Sequence, residues 1–294
     1  MVNVKNTGLE TLRNDPDYST PGTGRGLLDV FTHRYLLRLL MRKGVATRYY
    51  GSVLGWVWSY VRPGAQFLMY YLVLGVILDV NRGIEWFPIY LFSGIVAVNL
   101  FSETLRNTTL AITDNRALVR KIYLPRELFP VAACGVALVH FLPQAALLLL
   151  VALLCGWTIG WLQVVAFFGG VLLILGFGLG LGLFFGAINA VYRDAKNIVD
   201  LILMFSTWAS PVLYSWEMVQ DKAPDWLMHI YMSNPITGAV ELFHDAFWLP
   251  LAPNSHRPEQ LVMYLLIGFG VTLFALFVGQ LVFRKLEGSF AQRL

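Results

Sequence analysis

Residues 114–130 read Asp-Asn-Arg-Ala-Leu-Val-Arg-Lys-Ile-Tyr-Leu-Pro-Arg-Glu-Leu-Phe-Pro and lie between two long apolar runs. Arg116, Arg120, Lys121 and Arg126 face only Asp114 and Glu127 here, a charge density that hydrocarbon does not admit. The stretch therefore stands outside a bilayer, and its basic excess marks the cytoplasmic side. Asp114 is expected to cap a short helix whose Ala117, Leu118 and Ile122 form an apolar side. Pro125 ends that helix and Pro130 opens the next. Two readings fit such a piece. One is a solvated connector with ordinary positive-inside charge, the other a semi-apolar helix presented to a partner protein.

Working outward, the apolar runs dominate the chain. Of 294 residues, 57% are hydrophobic and 14% charged, with a mean hydropathy of +0.61; a soluble domain carries about 25% charged residues. The apolar residues gather into blocks of about twenty, the length that crosses a bilayer core. The expected fold is an all-α membrane protein with six spans at about 53–78, 86–104, 128–154, 162–190, 198–214 and 261–283. These make one membrane domain over 27–294, behind a mobile cytoplasmic tail at 1–26 that is polar and not a cleavable signal peptide. With both termini inside, the inner segments take nine Lys and Arg through Arg62, five in 106–126, two in 193–196 and three in the tail. Only Arg82, Lys222 and Arg257 fall outside, so the positive-inside rule selects this topology.

From Leu27 to Lys43 the composition is helical, and Arg34, Arg38 and Arg42 recur every four residues as one stripe. A helix lying at the inner membrane surface, arginines toward headgroup phosphates, is expected. The first span opens with Trp56, Trp58 and Tyr60 and contains Arg62-Pro63, a snorkelling cation beside a kink. His140 and Pro143 sit mid-way in the third span, where a histidine most simply bonds a carbonyl freed by the kink. The fourth span holds Gly169, Gly170, Gly176, Gly178, Gly180, Gly182 and Gly186. No strand precedes them, so they are assigned to close helix packing and not to a nucleotide loop. Between the fifth and sixth spans, Ser215 to Gln260 forms a long outer excursion, in which Asn234-Pro235 starts an apolar helical piece read as re-entrant or interfacial. Cys134 and Cys155 read as small buried hydrophobes, the five histidines show no metal spacing, and no metal is assigned.

These features in this order resemble the permease subunits of type-2 ABC exporters for lipid-linked polysaccharides. The resemblance rests on Ser52, Leu54, Gly55, Trp58 and Pro63 in the first span and on Asn115, Arg120-Lys121, Pro125-Arg126-Glu127 and Pro130 in the charged stretch. Tyr192-Arg193-Asp194, Asn234-Pro235, and Phe283-Arg284 with Glu287 and Phe290-Ala291 complete it. It implies ATP-driven export of a polyprenyl-pyrophosphate-linked glycan across the bacterial inner membrane by a homodimer in membrane lipid. Two copies of a separate ATP-binding subunit would supply the energy, seated on the coupling segment 114–127 through Asn115, Arg116, Leu118, Arg120, Lys121 and Ile122. The residues agree, since no Gly-x-x-x-x-Gly-Lys-Ser/Thr occurs. ATP and Mg2+ would thus belong to the partner, and this chain would hold no cofactor, carry no catalytic residue and bind no nucleic acid.

The resemblance also places a glycan path along the first and fifth spans. Trp56, Tyr60, Phe67, Tyr70 and Tyr71 would line it with Phe205, Trp208 and Tyr214, rings on which a sliding sugar chain stacks without a fixed register. Arg34, Arg38, Arg48 and Arg62 are the candidate partners of the lipid pyrophosphate, because guanidinium meets phosphate bidentately. Two alternatives remain open: a permease for a drug or small lipid, and an integral-membrane glycosyl- or acyltransferase using Asp221, Asp225, His229, Glu241, His244 and Asp245 of the outer region.

Overall fold

The computed structural model describes residues 26–48, 50–121 and 124–293, and over these it is helical with no strand. The expected tail at 1–25 and Ile122 lie outside the described residues. The elements are α1 (Arg34–Arg48), α2 (Trp58–Tyr70, prolonged by π-helical turns over Tyr71–Ile77), α3 (Phe87–Asp114), α4 (Arg116–Lys121), α5 (Leu128–Leu154) and α6 (Trp161–Val191). They continue with α7 (Ala195–Ser206), α8 (Trp216–Gln220), α9 (Asp225–Met232), α10 (Pro235–Phe243) and α11 (Leu261–Arg293).

Among the described residues four helices, α3, α5, α6 and α11, are long and apolar enough to cross a membrane. The bounds of α5 coincide with those expected from the sequence. Helix α3 does not stop near residue 104 but continues to Asp114, and α11 runs on past 283. At 28 residues α3 is roughly 42 Å long, against a core of about 30 Å. It therefore carries Glu103 and Arg106 on one continuous helix, whereas a span of 86–104 leaves Arg106 beyond its end.

The stretches 53–78 and 198–214 are not single α-helices. The first carries Pro63 inside α2 and then widens into π turns, with Gly75 close against the Phe87 ring. Helix α7 has only 12 residues, roughly 18 Å. Serine hydroxyls end it: Ser206 Oγ donates to the Leu203 carbonyl at 2.7 Å and Ser210 Oγ to that of Ser206 at 2.8 Å. Pro211 has no N–H to continue the ladder. The Tyr90 hydroxyl reaches the freed carbonyls of Pro211 and Tyr214, at 2.8 Å each.

Helix α6 is the centre of the bundle because it is glycine on two opposite sides. Gly178, Gly182 and Gly186 lie one turn apart and face Thr104, Thr108 and Thr109 of α3. Gly176 and Gly180, about 200° round from that row, face Thr272, Ala275 and Leu276 of α11. In lipid, where apolar burial does not drive helices together, close backbone approach supplies the association. The packing role expected for these glycines is thus the one observed.

At the other end of α5, Gly156 (φ +90°) closes the helix. Its N–H bonds the Leu153 carbonyl at 3.1 Å and the Trp157 N–H that of Ala152 at 3.0 Å. Trp157 Nε1 then donates to the Ala246 carbonyl at 2.8 Å. The Asn234-Pro235 pair starts α10 as read, with Asn234 Oδ1 accepting from Ile236 N at 3.1 Å. Every residue of α10 is buried, and it packs on α6, α3 and α11.

Arg126 and Glu127 fasten the final segment of α11. An Arg126 Nη1 proton goes to the Glu287 carbonyl, the guanidinium sits 5.7 Å from the Phe290 ring centroid, and Gln280 Nε2 donates to Glu127 Oε1 at 2.9 Å. Both side chains are buried, so they are not part of a docking surface, although the expected coupling segment included them. Arg126→Gln is expected to cost about 2 kcal/mol, the scale of a charged hydrogen bond. It should speed proteolysis at Arg284 and Lys285, which digestion followed by mass spectrometry reads directly.

Candidate functional site

Three helices direct polar stripes into one cleft. On α2 the stripe is Ser59, Arg62 and Gln66, and on α5 it is His140 and Gln144. On α3 it is Asn99, Ser102, Glu103, Arg106 and Asn107, which follow i, i+3, i+4, i+7, i+8. Arg48, at the end of α1, Ser52 and Trp58 complete the wall around a cavity of about 680 Å3. The Trp56 ring lies 5.5 Å from that of His140.

The charges of the cleft are partly spoken for. Arg48 grips Glu103 with two nitrogens, at 2.6 and 2.5 Å, and Asn107 Nδ2 adds a third bond to that carboxylate at 3.1 Å. Arg106 pairs with Asp200 of α7 through Nε at 3.2 Å and Nη2 at 2.7 Å. Among the described residues Arg62 has no carboxylate within ion-pair distance. Deeper in, Asn99 Nδ2 points at Gln144 Oε1 across 3.4 Å.

The charged stretch forms an elbow near the cleft. Asp114 is the last residue of α3 and not the cap of the next helix, a correction to the sequence reading. Asn115 makes the break: its carbonyl accepts from Leu118 and Val119, while its side chain donates to the Ala111 carbonyl and accepts from Lys43 Nζ of α1, both at 2.8 Å. The apolar side of α4 is also different from the one expected. Val119 is buried and Leu118 half-buried, against Ile112, Phe129 and Phe290, whereas Ala117 is exposed. Outward stand Arg116, Arg120 and Lys121. The residue 116 and 120 side chains, one turn apart, form a basic strip beside Lys121.

Helices α2 and α7 both pack on α3 and leave rings uncovered. Trp56, Tyr60, Phe205 and Trp208 are exposed. Phe67 and Tyr71 instead turn inward, stacked on each other at 5.8 Å, with Phe67 edge-on to Phe92 and Tyr71 against Phe87. Tyr70 and Tyr214 are half-buried, and the Tyr214 hydroxyl donates to the Trp208 carbonyl.

The family model that matches residues 35–248, and so covers the cleft, the elbow and both ring-bearing helices, is described as ABC-2 type transporter. The chain belongs to the ABC-2 type transporter family. The O-antigen export system permease protein RfbA of Myxococcus xanthus is 30% identical over 227 residues, 77% of this chain and 85% of the relative. A protein of the same name from Klebsiella pneumoniae is 24% identical over 264 residues, 88% and 95% of the two chains. The polysialic acid transport protein KpsM of Escherichia coli is 22% identical over 251 residues, 84% and 92%. The chain is a multi-pass membrane permease of that family.

Within this ABC-2 permease the four arginines read as phosphate partners separate. Arg48 and Arg62 meet in the cleft. Arg38 lines a different, apolar groove with Met41, Val45, Trp56 and Val139, and Arg34 Nε donates to the Phe31 carbonyl at 3.1 Å. Glu103, Arg106, Gln66 and Gln144 were missed as cleft residues. The signal was present in the helical spacing of residues 99–107, but ending the second span at 104 cut that stripe in half. The acids and histidines of the outer region do not gather at one point, although Glu241 Oε1 lies 3.9 Å from His244 Nδ1. Asp245 pairs with Arg257 at 2.9 Å, His229 Nδ1 meets the Tyr264 hydroxyl at 2.8 Å, and the His244 ring stacks on Tyr90 at 3.9 Å.

Proposed function

We propose that this permease is the conduit of an ATP-driven exporter for polysaccharide carried on a polyprenyl pyrophosphate. It works as a homodimer with six spans per copy, both termini in the cytoplasm. A separate ATP-binding subunit holds ATP and Mg2+, and one copy of it seats on the basic strip of each α4. The pyrophosphate meets Arg62 in the cleft, beside the Arg48–Glu103 pair, with Arg34 and Arg38 attracting it at the membrane surface. The glycan then slides along the open rings of α2 and α7.

The observation that carries this reading is a polar, arginine-bearing cleft in an apolar bundle that also leaves Trp56, Tyr60, Phe205 and Trp208 exposed. Uncovered rings supply stacking faces that hold a sugar chain without fixing its register, and guanidinium supplies the anion partner. The relatives named for O-antigen export and polysialic acid transport support the polysaccharide class.

The test is reconstitution of this chain with its ATP-binding subunit in vesicles, following ATP-dependent transfer of lipid-linked glycan. Replacing Tyr60, Phe205 and Trp208 together by alanine is expected to lower transfer several-fold while ATP turnover persists. Transfer by the permease alone, or full transfer with the three rings removed, would overturn the reading.

A further inference from the structure

The cleft between α2, α3 and α5 holds more recognition chemistry than a phosphate needs. Its volume of about 680 Å3 falls in the range of roughly 300–1,000 Å3 that accommodates drug-sized ligands. Arg48 and Arg106 already have carboxylate partners, so among the described residues Arg62 is the cleft arginine left for an anion. The remaining lining is neutral and two-sided in its hydrogen bonding. Amides present donors and acceptors together, as sugar hydroxyls do. Gln66 and Ser102 make no hydrogen bond within the protein among the described residues, and Gln144 receives only the long 3.4 Å approach from Asn99. Polar side chains on three spans, aimed into one cavity and largely unspent on each other, are ligand-facing groups; each would otherwise cost free energy in an apolar bundle.

We propose that this cleft reads the sugar joined directly to the pyrophosphate, with Arg62 anchoring the phosphate and Gln66, Asn99 and Gln144 determining which sugar is accepted. The site lies inside one copy of the chain, off the ring-lined faces of α2 and α7. It therefore selects the loaded carrier before the glycan enters the path. Trp58 stands on the same wall as a stacking face for the pyranose ring. The inference rests on the lipid-pyrophosphate reading above and adds to it a preference for the glycosylated carrier.

The experiment uses the full chain in lipid nanodiscs and two soluble probes, geranyl pyrophosphate and the same molecule carrying one glucose or one N-acetylglucosamine. Calorimetry measures both affinities for the wild type and for Arg62→Gln, Gln144→Met and Asn99→Leu, each checked for an unchanged elution volume and unfolding midpoint. At least one sugar-bearing probe is expected to bind the wild type about tenfold tighter or more than geranyl pyrophosphate, the effect of one or two hydrogen bonds. Gln144→Met and Asn99→Leu should bring its affinity down to that of the bare pyrophosphate, and Arg62→Gln should weaken both. Wild-type binding of both probes with no gain from either sugar overturns the proposal and leaves the pyrophosphate reading standing. So does a gain that survives both amide variants. Absence of binding by either probe, or binding indifferent to Arg62, overturns the pyrophosphate reading as well.

Discussion

Alanine in place of Gly180 is expected to lower the unfolding midpoint of the detergent-solubilised permease by roughly 5 °C, for a loss of about 1–3 kcal/mol. The reason is local and steric. A Cβ at Gly180 would stand 2.6 Å from the backbone nitrogen of Leu276 and 2.7 Å from the carbonyl carbon of Ala275. A Cβ at Gly279, opposite, would stand 2.2 Å from the Gly180 carbonyl oxygen. Neither neighbour is a side-chain tip that swings away, so α6 and α11 must separate as rods. Separation then removes packing contacts along both helices, the main source of association in lipid. Gly270→Ala is the control: it lies on α11 with nothing within 4 Å of its Cβ, and it should leave the midpoint unchanged or slightly raised. Equal melting of the two variants would show that the glycine contact between α6 and α11 does not hold the bundle together.

Reversing Arg116, Arg120 and Lys121 together to glutamate is expected to abolish co-purification with the ATP-binding subunit, an affinity loss of roughly 100-fold or more. Like charges set against a complementary face cost several kcal/mol. These three side chains are exposed, whereas Val119 is the buried contact of α4, so the substitutions leave its packing intact. The unfolding midpoint should stay within about 1–2 °C of wild type, as surface substitutions do. Unimpaired complex formation with normal ATP turnover would reduce the elbow to a connector. Unfolding of the variant would instead mean that the basic strip supports the fold.

Much of the architecture was legible because its causes are local. The 27 residues of α5, apolar but for His140 and Gln144, have charge on one side and a glycine with positive φ beyond the other end, so its bounds follow from composition and turn chemistry. Asn234-Pro235 is a cap followed by a residue preset for the first helical turn, and α10 begins there. The glycines of α6 announced close packing, though their division into two opposite rows became visible only with α3 and α11 in place.

The errors share a different cause, which is that the deciding partner is far away in sequence. Helix α3 continues through Glu103 and Arg106, which pair with Arg48 and Asp200, both remote in the chain. A hydropathy reading sees only the charges and ends the span. Arg126 looked like part of a basic docking strip, yet Glu287 and Phe290 draw it inward. The aromatic residues of the 53–78 stretch were indistinguishable as a list, and only packing on Phe87 and Phe92 separated the half-buried Phe67 and Tyr71 from the exposed Trp56 and Tyr60.

The sequence by itself determined that this chain is a helical membrane protein with a basic elbow at 114–121, and the order of its motifs pointed to its family. Apolar block length, charge excess and turn residues act over a few neighbours and need no tertiary context. Only the tertiary structure decided that α2, α3 and α5 share one polar cleft, that Arg62 is its arginine without a carboxylate partner among the described residues, and that Arg126 serves the fold. Those outcomes depend on which ion pairs and helix faces meet across the bundle, and no local stretch of residues contains that information.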